Sequence, residues 1–157
     1  MKATTYLILA VRLAVGGLLL LAGALKILDD STLRDGVGLI PWLPVWAKLL
    51  VIRLLPITEV VLGAAFAAGV LLRWSGGATT LLYLVFFGYA VYGWATGMEG
   101  ECGCFGGVGG ASFGWQMTLR NALLLAGAAL VTIRAMRPPF SEPAPAESDP
   151  ETPVKPV

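Results

Sequence analysis

Residues 78–96 read ATTLLYLVFFGYAVYGWAT and contain no charged side chain. An apolar run of about 20 residues is what a helix needs to cross the hydrocarbon of a bilayer. Three further stretches have this character: about 6–28, about 46–72 and about 115–133. Period-two alternation is absent from them, which argues against a transmembrane barrel. The rest of the composition agrees. Hydrophobic residues make up 57% of the 157 positions and charged residues 13%, whereas soluble domains run nearer a quarter charged. With so few charges a soluble fold would not cover its own surface, so lipid is part of the solvent. The fold expected is all-α: a polytopic membrane protein with one four-helix transmembrane domain over residues 1–137.

The net charge is +1 with scattered charges, so no basic footprint for nucleic acid is present. There is no histidine, which removes the commonest metal ligand and general base. Lys2, the apolar run and Ala22-Gly23-Ala24 also resemble a cleavable signal peptide. The run is long for that role and Arg12 interrupts it, so the segment is read as a span. Lys2, Arg73, Arg134 and Arg137 flank one side of the spans; Lys26, Arg34 and Lys48, beside Asp29, Asp30 and Asp35, flank the other. The positive-inside rule then puts both termini in the cytoplasm of an inner or plasma-membrane protein. Residues 29–45 form the first outer loop. Within it Pro41 and Pro44 oppose a regular helix, and Trp42 and Trp46 suit the headgroup layer. Arg73 to Gly77 reads as a short inner turn. From Pro138 onward the chain is rich in proline and acidic residues, the composition of a disordered cytoplasmic tail over 138–157. Small residues spaced by four (Gly63 and Ala67, Ala64 and Ala68, Ala10 and Ala14, Ala122 and Ala126) would let helices approach closely.

Ionisable side chains inside spans are costly and mark functional positions. Here they are Arg12, Lys26, Arg53, Glu59 and Arg120, with Asn121 beside the last. Lys26 and Arg53, taken singly, are expected to snorkel to the headgroups. Glu59, in mid-span, must pair with a cation or be protonated; Arg53, Lys26 and Arg120 are its candidate partners, and proton handling is the alternative. Pro56, one turn earlier, would kink its helix. Tyr83, Phe86, Phe87, Tyr89, Tyr92 and Trp94 would make an aromatic wall able to sandwich a quinone, although a lipid-facing helix carries aromatics without one.

The only two cysteines, Cys102 and Cys104, lie in ECGCFGG, residues 101–107, on the outer side, where disulfides persist. Two adjacent thiols permit attack by one and resolution by the other, and nearby cations raise the thiolate fraction. Gly103 permits the bend that a bridge across one residue demands, and such a strained bridge is readily reduced. Its small loop removes little chain entropy, so it staples weakly. Gly106 and its neighbours leave backbone open to a partner, and Phe105 offers an apolar contact. Three readings stand: thiol–disulfide exchange, a structural bridge, or a soft-metal site. The last lacks the four ligands of closed zinc and would need ligands from a partner, so no metal ligand is assigned.

These pieces resemble the MauE-type methylamine-utilisation membrane proteins, within the broader DoxX-like group. The matching residues are Gly23 to Lys26 followed by Asp29 or Asp30, Pro56 with Glu59 to Gly63, Cys102 to Gly106, and Arg120-Asn121. The resemblance spans roughly 6–135. It implies a four-helix membrane bundle, thiol–disulfide chemistry outside the membrane, a thioredoxin-like partner and an exported protein as substrate. Cys102 and Cys104 would be the redox pair. Lys26, Arg53 and Arg120 would stabilise a thiolate or anchor the bundle, and Glu59 would balance their charge. Electrons would pass to or from the thioredoxin-like protein or a membrane quinone.

Overall fold

The computed structural model describes residues 2–98 and 113–136, and helices dominate them: α1 (Lys2–Leu28), α2 (Ser31–Gly38), α3 (Val45–Ala68), α4 (Leu72–Ala95) and α5 (Trp115–Met136). All but α2 are long and apolar enough to cross a membrane. The expected all-α four-span architecture is therefore the observed one. The cysteine loop and the 138–157 tail lie outside the described residues.

Two local expectations are corrected. The first outer loop contains a helix, α2, which starts just after Asp29: the Ser31 backbone N–H donates to Asp29 Oδ1 at 3.0 Å, an Asx turn that leads the chain into the helix. Pro41 and Pro44 do stop helices, but they act after α2 and at the entrance of α3, where Pro44 is extended (φ −67°, ψ 153°). The inner turn lies at Gly69–Leu71 rather than at Arg73–Gly77. Gly69 takes φ 76° and the Val70 N–H reaches back to the Ala65 carbonyl at 2.9 Å. That is a left-handed cap, which glycine adopts without the usual steric cost. Ser75 Oγ then donates to the Val70 carbonyl at 2.9 Å, so the polar run after the turn is already the first turns of α4.

The four long helices pair as α1 with α3 and α4 with α5, and the two pairs meet along a thinner seam. Glycines set the close approaches. A Cβ on Gly63 would lie 2.6 Å from the Leu20 backbone nitrogen, and one on Gly16 would lie 2.8 Å from that of Ala67. Of the small-residue pairs in the sequence, Gly63 and Ala67 are thus the ones that make a helix contact, while Ala10, Ala14, Ala64, Ala68 and Ala126 face outward. The α4–α5 pair is tightest at Gly76, where a Cβ would meet Thr132 Oγ1 at 2.6 Å.

Each long helix buries a stripe spaced by alternate threes and fours. On α1 it is Val15, Leu19, Ala22 and Lys26; on α3 Pro56, Glu59, Gly63 and Phe66. On α4 it is Thr79, Tyr83, Phe86, Ala90 and Gly93; on α5 it includes Met117, Asn121, Ala128 and Val131. A 3.5-residue period keeps one face of a helix against its neighbours along a gently supercoiled bundle. Val15, Leu19, Phe66, Tyr83, Phe86, Ala128 and Val131 form the central core. Leucines, isoleucines and valines cover the outside, among them Leu7, Ile57, Leu81 and Leu123. A soluble monomer does not tolerate so large an apolar surface; a bilayer requires it.

Candidate functional site

Lys26 and Glu59 meet toward one end of the bundle. Lys26 is the last buried position of α1, and Gly23 lies one turn before it. Because Gly23 has no side chain, α3 comes close enough that a Cβ there would sit 2.8 Å from Glu59 Cβ. That approach delivers Glu59 to Lys26: Nζ donates to Oε1 at 2.5 Å, with both side chains fully enclosed. Lys26 Nζ also stands 5.4 Å from the centre of the Phe86 ring, within the range of a cation–π attraction. Tyr83, one turn along the same stripe, is within electrostatic reach of Glu59 and donates its hydroxyl to the Val15 carbonyl at 3.0 Å. Lys26 therefore does not snorkel. Two charges leave water here only as a pair, since either alone in hydrocarbon is prohibitive.

Arg53 is exposed on α3, as a snorkelling side chain would be, and Arg120 is half-buried on α5. Of Glu59's three candidate partners the structure selects Lys26. Asn121, next to Arg120, is wholly buried, and neither of its amide atoms has a hydrogen-bond partner among the described residues. Arg12 lies at the opposite end, where its guanidinium packs over Gly69 at the C-terminus of α3. A cation there complements the helix dipole and the unpaired carbonyls.

Cys102, Gly103, Cys104, Phe105 and Gly106 lie outside the described residues, but both approaches to their loop are described. α4 ends in a second left-handed glycine, Gly97 (φ 64°), with the Met98 N–H bonded to the Gly93 carbonyl at 2.9 Å. On the return, Phe113 packs on Gly93 and meets Tyr89 edge-to-face at 5.4 Å. The connection thus leaves from and returns to the end of the bundle that holds Lys26 and Glu59. α2 covers the same end, tied down by Tyr89 Oη, which donates to the Gly36 carbonyl at 2.6 Å.

The aromatics of α4 do not form one wall. Tyr83 and Phe86 are core, Phe87 and Tyr89 are half-buried, and Tyr92 and Trp94 face outward. A cavity of about 100 Å³ does open between Phe86, Tyr89, Leu33, Val37, Val51 and Leu55. Thr79 and Thr132 are further buried polar positions; the sequence signal for Thr79 is its phase, four residues before Tyr83 on the same stripe.

Four membrane-spanning helices, an interior ion pair and a two-cysteine connection at the same end define a small polytopic membrane protein. The model of the family described as methylamine utilisation protein MauE matches residues 4–134, and the chain belongs to that family. Comparison with curated proteins and with solved structures gave no match.

Proposed function

We propose that this MauE-family protein is a membrane thiol–disulfide exchange protein of methylamine utilisation, acting through Cys102 and Cys104 outside the membrane. One observation carries the reading: the chain's only two thiols lie in a connection whose two ends are held at the bundle end containing Lys26, Glu59 and Asn121. A fixed base beside a glycine-rich loop suits docking of another protein on the sulfurs.

In the oxidising direction, a thiolate of an exported protein attacks the Cys102–Cys104 disulfide. A mixed disulfide forms and one cysteine leaves as thiolate. A second substrate thiolate attacks the mixed disulfide, so the substrate gains its bridge and the loop becomes a dithiol. A thioredoxin-like disulfide or a membrane quinone then accepts the two electrons and regenerates the bridge. In the reducing direction the same steps run backward. Proximity of the two thiols makes resolution intramolecular and fast. Arg53 and Arg120 would supply the positive charge that favours the thiolate.

The test is thiol trapping in intact cells with a membrane-impermeant maleimide after graded dithiothreitol, read as a mass shift. Labelling at mild reductant is expected. A bridge that yields only to harsh reductant would make it structural, and absence of labelling after full reduction would overturn the outward placement of the loop.

A further inference from the structure

The cavity of about 100 Å³ lies between three helices: Leu33 and Val37 come from α2, Val51 and Leu55 from α3, Phe86 and Tyr89 from α4. The Tyr89 hydroxyl is the one polar side-chain group in its lining, and it already donates to the Gly36 carbonyl. Water finds no partners in such a cavity, whereas apolar groups bind there. A quinone ring does not suit it, because neither carbonyl would meet a free donor. The cavity also borders lipid. A groove along α3, lined by Leu50, Leu54 and Thr58, shares Val51 and Leu55 with it. Leu50 and Leu54 are 48% and 53% exposed, so the groove belongs to the face that the bilayer covers.

A cation stands at the edge of this apolar site. Lys48 precedes Val51 by three residues and Leu55 by seven, which puts the three on one face of α3. The helical rise sets Lys48 about 5–10 Å nearer the start of α3 than those two residues. Its Nζ donates to the carbonyl of Gly38, the last residue of α2, at 3.1 Å. The ammonium is thereby held between α2 and α3, and an ammonium has three donors to give. Among the described residues no carboxylate pairs with it. Trp42 and Trp46, both well exposed, precede it closely in the chain and suit the headgroup layer.

A positive charge at headgroup level above an apolar slot is complementary to an anionic amphiphile. We propose that a bilayer phospholipid binds here, with its phosphate on Lys48 and a segment of one acyl chain in the cavity between α2, α3 and α4. The chain completes the packing of α2 on the bundle. The site stands independently of what the cysteines do.

Photolabelling of the full chain in lipid nanodiscs tests this, using phosphatidylglycerol with a diazirine at the middle of one acyl chain and mapping the adducts by mass spectrometry. Leu33 and Val37 are 4% and 7% exposed, so lipid on the outer surface of the bundle does not reach them. Adducts on these two residues are expected in the wild-type chain, beside adducts on outward-facing Ile57, the control for surrounding lipid. Val51→Trp fills the cavity and should abolish the α2 adducts while leaving those on Ile57. Lys48→Gln should lower the α2 adducts about fivefold, the worth of one lysine beside an anionic lipid, and Lys48→Arg should retain them. Adducts confined to outward-facing residues would overturn the proposal. So would equal α2 labelling in the wild type and Lys48→Gln, or α2 labelling by a neutral diazirine hydrocarbon that matches the phospholipid, since either result removes the headgroup from the site. If the tryptophan variant does not fold, the wild type, Lys48→Gln and the neutral probe decide.

Discussion

Lys26 and Glu59 owe their state to each other. Removing one partner leaves the other charged and alone in a low-dielectric interior, a loss of about 3–5 kcal/mol for buried pairs. Lys26→Met and Glu59→Leu should each therefore lower folded abundance and the midpoint of denaturation in detergent. The double variant should recover most of that loss, since two apolar side chains of similar size need no partner. A double variant no better than the singles would mean that the pair serves as more than mutual neutralisation. Asn121 differs in kind: its amide has no hydrogen-bond partner among the described residues, so Asn121→Leu is expected to leave abundance largely intact.

At the scale of elements, the α1–α3 pair depends on the absence of side chains. Gly63→Leu places a branched chain where the Leu20 backbone already lies 2.6 Å from a bare Cβ. Overpacking of this kind costs about 1–3 kcal/mol or more, and it should also pull Glu59 from Lys26, one turn away; unfolding titration of the variant checks it. α2 is docked through Leu33, Val37 and the Tyr89 hydroxyl, and it also carries charge contacts in water at its start. The Ser31 backbone N–H keeps the Asp29 carboxyl below its ordinary range, and Arg34 does the same for Asp30 through a side-chain bond at 2.7 Å. A depressed folded pKa contributes stability above the unfolded value of 3.8 and loses it as pH falls through the lower folded one. α2 should therefore be indifferent to pH between neutrality and about 5, and loosen only below about 4. Carboxyl carbon shifts of Asp29 and Asp30 across a titration would report it. Tyr89→Phe removes the hydroxyl that holds Gly36 and should raise amide exchange in α2 while sparing α4.

At the scale of the molecule, the bundle has two unlike ends. One gathers Lys26, Glu59, Asn121, α2 and both approaches to the cysteine loop. The other holds Arg12, the Gly69–Leu71 turn and Arg73. If the first faces outward, an impermeant maleimide should label Trp42→Cys in intact cells and fail to label Trp74→Cys, both in a chain carrying Cys102→Ser and Cys104→Ser. Both tryptophans are well exposed, so accessibility of the side chain itself does not limit either reaction. The reverse pattern would invert the topology and put the thiols in the cytoplasm.

The sequence by itself determined the solvent and the number of spans, because lipid imposes long uncharged apolar runs that few other structures need. It also marked Lys26, Glu59, Arg53, Arg120 and Asn121, since polar groups stand out against such a background. It did not determine which of them meet. Lys26 read as a snorkelling lysine because length and position near a span end are all that a single helix reveals. Its burial follows from Gly23, which draws α3 inward, and from the three-four phase it shares with Leu19 and Ala22. α2 carries little sequence signal because its eight residues include two glycines and only Leu33 and Val37 as large apolar side chains, and its formation rests on the Asp29 turn that precedes it and on docking by Tyr89. Pairing across helices is decided by close approach, and close approach is a property of backbones brought together in three dimensions.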